Sequence, residues 1–271
     1  MKTKSFWIHA LLIFGAILTI TPLLWMLSAS LMPQGEATHF PPRLFPSRIT
    51  FEHYVGLLTR LNLGRAFLNS LFVAIVATLF SLLFNSMAGY AFAKLRFPGR
   101  DKAFSALVAA LAIPAQVAML PLFLLLKSMG LVNTYMGVLI PYVTGIYNIF
   151  LVRQFMLSIP DDLLAAARID GASEWRIYRS IVMPVARPVL ATLAIFTFMS
   201  AWNDFMWPLI ILTDSDRYTM PVAVASLSGE HFQDLELMMA SAVITIIPVL
   251  ALFFVLQKQY IAGMMAGSVK G

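Results

Sequence analysis

The residues best equipped for chemistry form one short run, Trp202–Asn203–Asp204. An indole, an amide and a carboxylate in sequence can stack on an apolar ring face and hydrogen-bond hydroxyl groups. The same groups can instead pin one helix to its neighbour or form a gate near a membrane surface. Asp204 is the lone charge between Arg187 and Asp214. A carboxylate in so apolar a segment is costly, which makes it a functional candidate. The structural or gating role is the favoured one. Asn69, Asn85 and Gln116 are weaker candidates of the same kind, and interhelical hydrogen bonds account for them most simply. Catalytic and metal chemistry find no support. His9, His39, His53 and His231 are scattered, there is no cysteine, and no Ser–His–Asp set or GxxxxGK[ST] phosphate loop is present. No catalytic residue, metal site or cofactor bound by this chain is expected.

The surrounding elements must position these residues, and the composition says what kind they are. The chain has 271 residues, 60% hydrophobic and 12% charged, with mean hydropathy +0.82. Soluble domains have about 45–50% apolar and about 25% charged residues. An ordinary soluble enzyme, a disordered tail and a nucleic-acid-binding domain are therefore excluded. Stretches free of Asp, Glu, Lys and Arg run over Ser5–Gly35, Ala66–Ala93, Ala103–Leu126, Ser128–Val152 and Leu237–Gln257. The segment around Asp204 is a sixth. A spanning helix needs about 20 apolar residues. The expected fold is an all-α polytopic integral membrane protein with six transmembrane helices, over 6–31, 67–92, 104–126, 136–156, 189–212 and 237–256. The first uncharged stretch is far longer than a signal-peptide core, so it reads as a retained span. Strict alternation of a barrel strand is missing. Pro114, Pro121, Pro141 and Pro248 fall within spans, where each can kink its helix.

Basic residues set the orientation. With the N-terminus inside, the inner segments hold Lys2, Lys4, Lys94, Arg96, Arg100, Lys102, Arg153, Arg168, Arg176, Arg179, Arg187, Lys258 and Lys270. The other six basic residues lie outside, most of them in a long first outer loop where the bias counts for less. Both termini are thus expected in the cytoplasm. The net charge of +6 and pI near 9.7 then express membrane topology and call for no nucleic acid.

The inner segment 158–185 is the most informative. Pro160 suits a first helical turn, and Asp161 and Asp162 favour its positive end. Gly171 can adopt a left-handed conformation and end that helix, and Ser173 can cap a second one. Trp175, Tyr178, Ile181 and Val182 recur on one face, and Pro184 stops the run. The pattern is a helix–turn–helix at the cytoplasmic surface. It suits either an amphipathic element on lipid headgroups or a docking element for a cytoplasmic protein. Six spans without an internal repeat are few for a transporter that must rock two bodies, which points to a partner subunit.

The run AAARIDGASEWRIYRSIVMP resembles the EAA loop of ABC importer permeases. GYAFAKLRFPGR, IPAQVAMLPLF, FLVRQFMLSIP, WNDFMWPL and the closing AGMMAGSVKG are similar to the carbohydrate-uptake branch, in particular its shorter, maltose-type six-helix permeases. The resemblance covers nearly the whole chain. It implies a carbohydrate permease of the prokaryotic cell membrane that works by alternating access. It implies as partners a second homologous permease, two ATPase subunits carrying ATP and Mg²⁺, an extracytoplasmic solute-binding protein, and membrane lipid. It assigns coupling to Ala165, Ala166, Asp170, Gly171, Ala172, Trp175, Tyr178 and Pro184. Beside the resemblance, polarity within the spans makes Trp202, Asn203, Asp204, Asn69 and Gln116 the candidates for the translocation path, and the resemblance lets the tail 258–271 reach the ATPase. The family's leading Glu falls at Ala165 here, so docking must lean on other groups. The competing reading, a stand-alone secondary transporter or channel, calls for several paired intramembrane charges, and the sequence offers one.

Overall fold

The computed structural model describes residues 2–41, 43–59, 62–230 and 234–268, with side chains over 6–226, 234–255 and at Gln257. Every regular element among them is helical. In chain order they are α1 (Lys2–Ala29), α2 (Glu52–Thr59), α3 (Leu63–Lys94), α4 (Arg100–Ala109), α5 (Ala115–Ser128), α6 (Tyr135–Val143) and α7 (Ile146–Leu157). There follow α8 (Asp161–Ile169), α9 (Glu174–Ile177), α10 (Met183–Val185), α11 (Arg187–Asn203), α12 (Met206–Ile211), α13 (Met220–Glu230) and α14 (Leu235–Ser268). Four helices are long and apolar enough to cross a membrane: Phe6–Ala29, Leu63–Lys94, Tyr135–Leu157 and Leu235–Val255. Two bent pairs raise the number to as many as six.

Three expected spans are not straight helices, and each break has a local cause. The stretch 104–126 is split by a 104° bend between Arg100–Ala112 and Ala115–Ser128. Pro114 disfavours helical backbone at the residue before it, and Ile113 is extended at φ −84, ψ 118. The span over 136–156 is interrupted at Thr144, also extended, just before Gly145. The span over 189–212 ends its first helix at Asn203, because Asp204 is extended at φ −71, ψ 123. The tail 258–271 continues α14 through Ser268; its side chains and residues 269–271 lie outside the described residues.

The chain forms two compact units, Met1–Phe67 with Val222–Pro248, and Leu68–Pro221 with Val249–Gly271. In the first, the apolar window of α1 has none of its residues buried, as suits a helix bathed in lipid or facing another subunit. Ala29, Met32 and Ala37 make a small core there with Trp25, Leu235 and Met239. Glu236, fully buried, accepts the Ala37 amide at 2.7 Å. In the second unit the main core runs through α3, α7, α8, α11 and the segment between α8 and α11. Val152, Met156, Ile177, Val182 and Leu193 are fully enclosed. A buried polar network crosses that unit. Asn85 donates to Ser81 Oγ (2.6 Å) and accepts the Gly145 amide (3.1 Å), while Ser81 meets Thr197 Oγ1 at 3.1 Å. Unpaired, these groups would each cost free energy in an apolar interior; paired, they fix α3, the α6–α7 break and α11 in register.

Candidate functional site

The 158–185 segment forms the helix–turn–helix that its sequence suggests. α8 follows Pro160 and carries Asp161 and Asp162 in its first turn. It ends in a Schellman motif: Gly171 has φ +78, its amide donates to Arg168 O (3.0 Å), and the Ala172 amide donates to Ala167 O (3.0 Å). Ser173 caps α9 by accepting the Arg176 amide at 3.3 Å. Beyond α9 the helix widens into a π-helical stretch, Tyr178–Val182, before α10. Pro184 does not end the run. It sits within α10, directly after the π-helical stretch. The break falls at Ala186, where Glu174–Val185 and Arg187–Asn203 meet at 80°.

The expected docking face divides in two. Tyr178 points inward with Ile177 and Val182 and is buried, whereas Trp175 is exposed. Ile169 is 86% exposed, and Leu163 is exposed on the same helix. Ile169 and Leu163 escape a face drawn from the second helix alone, and an outward apolar residue just before the turn is the signal that could have found them. Ala165, Ala166, Asp170 and Gly171 are exposed, and Ala172 is half-buried.

Three residues one helical turn apart on α3 hold this element. Ser86 Oγ meets the Tyr178 hydroxyl at 2.7 Å. The Tyr90 hydroxyl donates to Glu174 Oε2 at 2.7 Å. Lys94 Nζ donates to Ile159 O and Asp161 Oδ1, both at 2.6 Å. Arg168 Nε completes the cluster at 2.6 Å from Glu174 Oε1. The Arg168 hydrogen bond, reinforced by Tyr90, holds the Glu174 carboxyl below the usual carboxylate range. Lys94 does the same for Asp161. Because both acids are depressed in the folded state, their contribution is present above the unfolded value, about pH 4. It is lost as pH falls through the still lower folded values. Glu174→Gln should therefore lower the melting temperature of the loop-containing complex at pH 7, and the difference should close below about pH 4. A difference that is constant from pH 7 to pH 3.5 would count against this clamp.

Comparisons with known proteins agree with this architecture. Residues 85–264 match the family model described as the binding-protein-dependent transport system inner membrane component. The chain belongs to this family. It is 38% identical over 261 residues to the arabinooligosaccharides transport system permease protein AraQ of Halalkalibacterium halodurans, covering 95% of this chain and 94% of that one. It is 36% identical over 265 residues to the diacetylchitobiose uptake system permease protein NgcG of Streptomyces coelicolor, covering 96% and 86%. A solved bacterial ABC transporter involved in the import of the acidic polysaccharide alginate matches with TM-score 0.84 and 26% identity, covering 96% of this chain and 97% of that one. The chain is thus a bacterial inner-membrane permease with multiple spans, a transport component and not an enzyme.

Within the permease the predicted pathway residues scatter. Trp202 is fully buried and stacked on Phe198, rings 5.9 Å apart and 6° from parallel, so it cannot also present a face to a solute. Asn203 is exposed and donates to Met199 O of its own helix. Asp204 accepts the Tyr142 hydroxyl and, at 3.4 Å, the Trp207 amide at the start of α12. It therefore ties α6 to the α11–α12 break. Asn69 donates to Asp216 O and Tyr218 O, both at 3.0 Å, and accepts Tyr135 at 2.8 Å. Gln116 is exposed on α5. What the structure does bring together is a cavity of about 440 Å³ at the α6–α7 break, lined by Tyr142, Tyr147, Asn148, Phe196, Thr197 and Ser200 among others. Sequence reasoning missed it, because no charge marks it. The Thr144–Gly145 interruption, which opens the wall, was the available signal.

Proposed function

We propose that the chain is one half of the translocation pathway of a carbohydrate importer of the ATP-binding-cassette type. In this reading six spans place both termini in the cytoplasm. A second homologous permease completes the pathway, two ATPase subunits bind ATP and Mg²⁺ and take up the 158–185 loop, and an extracytoplasmic binding protein delivers the solute. ATP-driven closure of the ATPases switches the spans between inward- and outward-facing arrangements. The observation that carries this is the two-sidedness of the loop. Its inner face is packed and hydrogen-bonded to α3, while Leu163, Ile169 and Trp175 face outward. Exposed apolar groups on a braced, preformed helix pair suit helix-in-groove docking.

Carbohydrate as cargo draws on the family relatives and on the cavity at the α6–α7 break. Tyr142, Tyr147 and Phe196 offer flat apolar faces for a sugar ring, and Asn148, Thr197 and Ser200 offer partners for hydroxyls. The channel or secondary-transporter alternative loses ground because the carboxylates within the candidate spans are engaged, Asp204 by Tyr142 and α12 and Glu236 by the Ala37 amide.

Docking is tested by co-purification with the cognate ATPase. Ile169→Asp with Trp175→Ala should lower recovery of the ATPase at least about tenfold, the scale of losing interface hot spots. Undiminished recovery would overturn the docking assignment.

A further inference from the structure

At the inner end of α3 the chain turns sharply into α4, and the turn borders an open surface pocket of about 480 Å³. It is lined by Arg96, Phe97, Gly99, Arg100, Asp101 and Lys102. Arg100 is its internal brace. Its amide donates to Phe97 O (3.3 Å), its Nη1 to Leu95 O (3.3 Å), and its Nε to Asp101 Oδ1 (3.0 Å). The one carboxylate in the pocket is therefore already engaged. Arg96 and Lys102 are exposed and make no ion pair among the described residues. The pocket thus keeps two cations in excess of its acid.

An apolar shelf adjoins these cations. Phe97 is 41% exposed, with its ring 5.9 Å from Phe92. Phe92 lies 5.5 Å from Phe104, over which Arg153 sits at 3.8 Å. Cations beside aromatic rings, immediately beyond a spanning helix, match the depth at which lipid headgroups meet acyl chains. A soluble anion would satisfy the charges and leave Phe97 without a partner. An acidic protein would have to reach a site two residues past the end of the span.

We propose that this pocket holds the phosphate headgroup of an anionic phospholipid, with Arg96 and Lys102 as its cationic partners and Phe97 against the proximal acyl chain. The site rests on membrane insertion alone and is independent of the transported solute. Each basic residue near an anionic surface contributes roughly a fivefold factor in affinity, so losing two should weaken binding roughly 25-fold.

The test is native mass spectrometry of the purified permease–ATPase complex titrated with phosphatidylglycerol or phosphatidylcholine. The expected result is preferential retention of phosphatidylglycerol by the wild type, lost in Arg96→Gln/Lys102→Gln and kept in the outer-loop control Arg48→Gln. Equal retention of the two lipids, or unchanged phosphatidylglycerol binding in the double variant, would overturn the proposal. Displacement of the lipid by 10 mM inorganic phosphate, a level on the order of a weak free-anion affinity, would reassign the pocket to a soluble anion. Loss of ATPase recovery with lipid binding intact would reassign it to a protein contact.

Discussion

Gly171→Pro is expected to abolish solute-stimulated ATP hydrolysis by the assembled transporter. Proline fixes φ near −65° and has no amide hydrogen. Gly171 sits at φ +78 and uses its amide to close the end of α8 on Arg168 O. The substitution therefore removes both the conformation and a bond of the Schellman motif. It redirects α9, and with it Trp175, away from the surface that α8 presents. Gly171→Ala separates the causes. A Cβ at this position meets nothing within 4 Å, so alanine costs only the left-handed strain, about 1–2 kcal/mol. Alanine should retain most of the stimulation and proline should lose it by more than about tenfold, the size of an effect exceeding 1.4 kcal/mol. Stimulation equal to wild type in Gly171→Pro, with the complex intact, would show that the turn is not part of the coupling path.

The second large effect lies at the crossing of α3 and α7. A Cβ on Gly89 would fall 2.6 Å from Val152 Cγ1, 2.9 Å from Val152 Cβ and 3.1 Å from the Arg153 backbone nitrogen. Val152 is completely enclosed, so the side chain has nowhere to swing, and the backbone of α7 would have to withdraw. Overpacking of this kind costs about 1–3 kcal/mol or more. Gly89→Leu should lower the yield of monodisperse complex severely, and Gly89→Ala should lower its melting temperature. Val152→Ala removes the nearest clashing atom but keeps the Cβ, so it should rescue Gly89→Ala in part. A wild-type melting temperature for Gly89→Leu would refute the close crossing.

These two glycines show how far the sequence can be read. Gly171 was legible because its neighbours declare its role: Asp161 and Asp162 open a helix, and Ser173 opens the next. Gly89 looks like any small residue in an apolar run, and its function comes from Val152, more than 60 positions away. The spans followed the same division. Charge-free windows located the apolar segments, yet could not say that Ile113, Thr144 and Asp204 interrupt them. A break needs only one extended residue, and hydropathy averages that residue away. For the pathway candidates, polarity was the sole guide. Polarity drew attention to Trp202 and Asp204, which the fold spends on stacking and on the Tyr142 bond. The cavity at the α6–α7 break is lined by uncharged groups that no window singles out. Tyr178 illustrates the limit of periodicity: its spacing matches Trp175, but a partner on α3 turned it inward.

The grip of Ser86, Tyr90 and Lys94 on the inner loop has a mechanical meaning. Attachment at a single point would let α3 swivel. Attachment over eight residues spans about 12 Å of helix axis, which converts a displacement into a tilt. If the loop shifts one end of that grip by about 1 Å relative to the other, α3 tilts by about 5°. Asn69 lies about 31 Å further along the same rod from Tyr90, so it travels about 2–3 Å. That distance is enough to part Asn69 from Asp216, Tyr218 and Tyr135, whose bonds to it are all 2.8–3.0 Å long. As a lever, α3 would have a ratio of between two and three, with the three Asn69 hydrogen bonds at its far end.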